Sequence, residues 1–117
     1  MNIAQTIISA LEFIGCPVVQ QSYAGDAETY IVFRIDNYPS DFANDTPQHD
    51  IVDVTLHLFA PFTLNTKTLR KDIRKALFAA GFTYPETTDA STTYRSSDGT
   101  EQHIVFECMI SEGMEYA

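Results

Sequence analysis

The sequence predicts an α+β fold: a two-layer sandwich of a mainly antiparallel sheet with two helices packed on one face, in the order α-β-β-β-α-β-β. Three observations carry that prediction. Two segments place apolar residues at helical spacing, one at the start and one in the middle of the chain. The intervening and following segments alternate apolar and polar residues with a period of two. Turn-forming residues separate these segments, which favours antiparallel neighbours and leaves both helices to cover one side of the sheet. The 117 residues, 44% hydrophobic and 20% charged, suit a single α+β domain over 1–117 and exclude a disordered chain or a coiled coil.

Each element has a local cause. Asn2 and Gln5 read as a capping box opening a helix whose stripe is Ile3, Ile7, Leu11 and Ile14. Gly15 stops that helix and Pro17 forbids its continuation. Val18–Tyr23 is a short β-prone run, followed by a turn at Ala24–Ala27. Thr29–Asp36 is rich in β-branched and aromatic residues, with Ile31, Phe33 and Ile35 on one face and Tyr30, Val32 and Arg34 on the other. Residues 37–50 carry Asp, Asn, Pro and Ser throughout and are expected to form a long loop, in which the rings of Tyr38 and Phe42 seek either their own sheet or a partner. Ile51–Phe59 alternates cleanly, with Val52, Val54, Leu56 and Leu58 inward and Asp53, Thr55 and His57 outward.

The second helix is expected from a cap at Asn65 or Thr66 to about Ala80, with Leu69, Ile73, Ala76, Leu77 and Ala80 inward and Gly81 as its stop. Residues 82–84 are a possible short strand. A hairpin over about 92–110 follows, with strands at Thr92–Arg95 and His103–Ile110 about the turn Ser96–Gly99. Ile104, Phe106, Cys108 and Ile110 are its inward positions.

Known chemistries find little purchase. Cys16 falls at a helix end and Cys108 on a buried strand face, positions that do not activate a thiol, and both are expected to be free thiols. Asp53 and His57 share a strand face but stand about 13 Å apart, too far to share a metal ion unaided, although His57 and His103 become neighbours if their strands pair. The five glycines are scattered at turns and build no phosphate loop. No catalytic residue, cofactor or metal is therefore expected, and no enzymatic activity. No signal peptide or membrane span is expected either, since Gln5, Thr6 and Glu12 interrupt the opening apolar stretch and no run of about 18 apolar residues occurs.

Charge is more informative. Seven basic against sixteen acidic residues leave a net charge of −9, which disfavours adhesion to DNA or to an anionic membrane. Five of the seven, Lys67, Arg70, Lys71, Arg74 and Lys75, lie on the second helix opposite its apolar stripe, with Phe78 among them. Such a face is either a solvated helix face, with its lysines and arginines placed for solubility, or a recognition surface, and on a negative molecule it can pair with copies of the chain. A heterologous contact between that helix and the acidic loop, with Asp41 and Asp45, would close into a ring when its rotation divides a full turn.

The layout resembles the small tail-terminator, or tail-completion, proteins of long-tailed bacteriophages. The resemblance rests on size, the opening helix Ile3–Ile14, the strand Tyr30–Phe33 before a long polar loop, the alternating strand Ile51–Leu58, the helix Leu69–Leu77 and the closing strand His103–Ile110. It implies a non-enzymatic structural role: a ring, usually hexameric, that caps the tail tube and meets the head–tail connector. The partners it implies are further copies of the chain, the tube protein and the connector protein. Assembly would take place in the bacterial cytoplasm and the product would reside in the virion tail. The alternatives are a phage neck or head-completion protein, and a small-molecule-binding or enzymatic α+β domain.

Overall fold

The computed structural model describes residues 2–43, 46–91 and 101–113. Helix α1 (Ile3–Ala10) continues as a 3₁₀ turn (Glu12–Ile14), and is followed by strands β1 (Val18–Gln20), β2 (Tyr30–Ala43) and β3 (Thr46–Pro61). Helix α2 (Lys67–Ala79) precedes β4 (Glu86–Asp89) and β5 (Glu101–Gly113). The five strands form one sheet in the order β1-β2-β3-β5-β4. The fold is α+β and the sheet is mostly antiparallel, as the patterning predicts. Its one parallel pair is β1 on β2, with Val18 beside Ile31 and Gln20 beside Phe33. Among the described residues no helix is long and apolar enough to cross a membrane.

The helix ends follow their sequence signals, with two refinements. Asn2 caps α1 by accepting the Gln5 backbone N–H at 3.0 Å, while the Gln5 side chain turns forward to the Ser9 hydroxyl instead of closing the reciprocal box. Gly15 takes the left-handed conformation, φ 78°, that ends the segment without a Cβ clash. At α2 the Asn65 side chain accepts the Lys67 N–H, whereas the Thr66 hydroxyl is buried and donates to Gln102 on β5.

The inner face of the sheet and the two helices enclose one apolar core. Ile3 and Ile7 of α1, Leu11 just past its end, and Ile73 and Leu77 of α2 meet Ile31, Phe33, Val54, Leu56, Leu58, Ile104 and Phe106 of the sheet. Register explains the clustering, because Phe33, Leu56 and Phe106 stand side by side on three adjacent strands, as do Ile31, Leu58 and Ile104 one step along. Phe82, just past α2, is also buried in this core.

Residues 37–50 do not form the expected loop. β2 runs to Ala43 and β3 begins at Thr46, with paired positions from Asn37–Val52 out to Ala43–Thr46. β5 supplies a third strand beside β3 out to His49–Gly113. Residues such as Asp, Asn and Pro disfavour a strand locally. Here pairing on both sides of β3 overrides that local preference, and the long strands account for a principal dimension of 55 Å against 27 and 25 Å for the others. Two smaller expectations also change. Residues 82–84 are not a strand, though Thr83 binds Met109 through both its N–H and its hydroxyl. On the side away from β3, β5 pairs with Glu86–Asp89; the expected strand at 92–95 and turn at 96–99 lie outside the described residues.

Candidate functional site

The helical layer and the bare layer of the sandwich each carry a candidate surface. On the helical layer, burial of Ile73 and Leu77 turns the rest of α2 outward. Lys67, Lys71 and Lys75 are exposed, one turn apart along a single line. Arg70 and Arg74 are half-buried at the flank facing β4. Arg74 donates to the Thr87 hydroxyl at 3.1 Å, and Arg70 helps to hold the Asp89 carboxyl below its usual range, an effect led by the hydrogen bonds from Ser91. Phe78 is 59% exposed and meets Tyr84 edge-on at 5.7 Å, so two large rings stand in solvent at the end of the lysine line. Tyr38, Asp41 and Phe42 are positions on β2 rather than loop residues, Tyr38 paired with Ile51 next to the core position Val52 and Phe42 paired with Pro47 further out, and Asp45 lies outside the described residues.

The second surface is the face of the sheet that the helices leave bare. Four rows of side chains cross it. The first is Tyr30, Phe59 and His103, the second Val32, His57, Val105 and Thr88. The third is Arg34, Thr55, Glu107 and Glu86, and the fourth is Asp36, Asp53 and Met109. The face thus has an aromatic end and an acidic end.

At the aromatic end the rings form a continuous ladder. Tyr23 stacks on Tyr30 at 4.6 Å, Tyr30 on Phe59 at 5.0 Å and Phe59 on His103 at 4.4 Å. Tyr23 comes from the segment after β1, where its hydroxyl accepts the Ala27 N–H and its ring lies so close to Gly25 that a Cβ there would overlap the phenol. His57 Nδ1 and His103 Nε2 lie 2.8 Å apart, so one imidazole donates to the other. Burial lowers the affinity of both rings for a proton; Arg34 adds to this at His57, and His57 itself adds to it at His103. Glu107 and Asp89 oppose the shift from their respective sides. A groove of about 360 Å³ runs over this end, lined by Tyr23, Tyr30, Arg34, His57, Phe59 and His103.

The strand register brings His57 and His103 together, the neighbourhood the sequence makes conditional on strand pairing. Among the described residues no group of three or more His, Cys, Asp or Glu side chains is placed to hold a metal ion. Cys16 and Cys108 are free, and burial, with Asp53 nearby, pushes the Cys108 thiol up to about 11, so it stays protonated at neutral pH. The aromatic ladder itself is not assigned by sequence reasoning. Its signal is present, since Tyr30, Val32, Phe59 and Val105 occupy outward strand positions that an ordinary solvated face fills with polar residues.

Fold and surfaces together define a small α+β domain with one chemically divided sheet face that the described helices leave uncovered and one cationic helix face. The sequence matches no family model and no curated protein. A solved structure, 9% identical, superposes with a TM-score of 0.60 over 98% of this chain and 95% of its own. At that identity the likeness concerns the fold.

Proposed function

We propose that this chain is a self-assembling structural protein of the tail-terminator kind, forming a ring that caps a phage tail tube and joins it to the head connector. The observation that carries the reading is the outer face of α2. On a chain of net charge −9, three exposed lysines form one line that ends at an exposed Phe78. A cationic line with an aromatic anchor is a surface built for docking onto something acidic, and other copies of this chain are acidic. The order of helices and strands adds support, although the long loop that the resemblance includes is paired strand here. Net negative charge suits a channel through which DNA passes without sticking.

Static light scattering and negative-stain microscopy test the reading. Ring-shaped particles at low salt, which bind purified tail-tube protein in co-sedimentation, are the expected result. A monomer at every salt and protein concentration overturns it. A second reading, a small-molecule-binding domain, is favoured by the groove over the aromatic ladder. It predicts a saturable change in tyrosine fluorescence with planar aromatic ligands in the monomer.

A further inference from the structure

We propose that the acidic end of the bare sheet face in one copy is the seat for helix α2 of the next copy. The proposal rests on the self-assembly reading and names the two surfaces that meet. Four observations converge on it.

First, both helices pack on the inner face of the sheet, so the outer face of the described strands has no helical cover. Second, that face carries like charges directly opposite one another: Asp36 pairs with Asp53 and Glu86 pairs with Glu107. The Glu86–Glu107 cross-strand pair repels. A cationic surface laid over it would turn that repulsion into attraction.

Third, the charge and dimensions match. Arg34 is the one cation in the four rows, against Asp36, Asp53, Glu86 and Glu107. The outward line of α2 offers three exposed cations, Lys67, Lys71 and Lys75. Lys67 to Lys75 spans about 12 Å at 1.5 Å per residue. Asp36 on β2 and Glu86 on β4 are three strand spacings apart, about 14 Å. A groove of about 380 Å³ lies at this end, lined by Asp53, Thr55, Tyr84, Glu86 and Glu107.

Fourth, the two surfaces lie on opposite layers of one sandwich. A contact between unlike surfaces is heterologous, so each copy that docks offers a fresh face to the next, and the series closes into a ring or continues as a filament. Two identical faces meeting as a twofold dimer would bring cation line to cation line or acid row to acid row.

The test uses the full chain and reciprocal charge reversal, read by size-exclusion chromatography with light scattering at about 50 mM salt, where charges interact across more than 10 Å. One variant combines Lys67→Glu, Lys71→Glu and Lys75→Glu; the other combines Glu86→Lys and Glu107→Lys. Each alone is expected to be monomeric, with the apparent dissociation constant raised on the order of 100-fold or more by like-charge contact. Mixed one to one, the two are expected to reassemble, because each supplies the sign the other has lost.

If the mixture stays monomeric while the unmodified chain assembles, or if the Glu86/Glu107 variant assembles normally, this seat is wrong although self-assembly stands. A monomeric unmodified chain overturns both. The neutral pair Glu86→Gln and Glu107→Gln covers the case in which lysines at these positions prevent folding. It is expected to weaken assembly and flatten its salt dependence, and unchanged assembly in that variant overturns the seat.

Discussion

Replacement of Leu56 by alanine measures the core most directly. Leu56 is fully buried, with Phe33 and Phe106 beside it on the neighbouring strands and Val54 and Leu58 two positions away on the same face. Shortening it removes the equivalent of three methylene groups, about 2.4 kcal/mol at about 0.8 each. Both flanking rings are held by paired strands on a twisted but stiff sheet, so the site collapses little. A residual cavity of about 50 Å³ adds about 1.2 kcal/mol at 24 cal/mol per Å³. The total is about 3.6 kcal/mol, within the range measured for buried leucines. With a urea m-value of about 1.5 kcal/mol/M, the unfolding midpoint falls by about 2.4 M. Circular dichroism at 222 nm against urea reads this directly, with Met109→Ala, on the outer face, as the control that moves little. A loss below about 1.5 kcal/mol for Leu56→Ala would mean that β3 presents its other face to the helices, and the register argument would fail.

Three further outcomes are expected. Phe78→Asp leaves the fold intact, at a cost of no more than about 1.5 kcal/mol for the lost edge-on contact with Tyr84, while light scattering shows weakened self-association; a collapse in melting temperature would place Phe78 in the core. Gly25→Ala displaces Tyr23 from its place against the loop and breaks its stack on Tyr30, so near-ultraviolet tyrosine dichroism falls while the far-ultraviolet spectrum is kept; an unchanged near-ultraviolet spectrum refutes the packing of that segment. Acidification destabilises the fold through His57 and His103. Both bind protons less readily folded than unfolded, so their contribution is complete above the ordinary value of 6.5 and is lost as pH falls below it toward the folded values. Melting curves at pH 7.5 and 5.5 check this, and the pH dependence is expected to shrink in His57→Gln with His103→Gln; an undiminished dependence would move its origin elsewhere.

Much of the architecture is legible in the chain because burial imprints a period. Ile3, Ile7 and Leu11 recur at the helical period and Val52, Val54, Leu56 and Leu58 at the strand period, and all are buried as that spacing demands. The helix stops at Gly15 and Gly81 are legible for the same local reason, since both take positive φ. The outward cation line of α2 is legible too, because the wheel that buries Ile73 and Leu77 must expose Lys67, Lys71 and Lys75.

Residues 37–50 show where local reading ends. Their composition is that of a loop, and only the presence of β3 and β5 alongside turns part of them into strand, through backbone hydrogen bonds indifferent to side-chain identity. The aromatic ladder and the facing carboxylates are likewise products of register. Tyr30, Phe59 and His103 are scattered over 74 residues of sequence, and Asp36, Asp53, Glu86 and Glu107 over 72, and no local rule relates them. The sequence by itself determined the helices, the inner strand faces and the charge of α2, because each depends on neighbours within a few residues. The tertiary structure alone decided the parallel place of β1, the length of the central strands and the division of the bare face into aromatic and acidic ends, because those depend on which distant strands lie side by side.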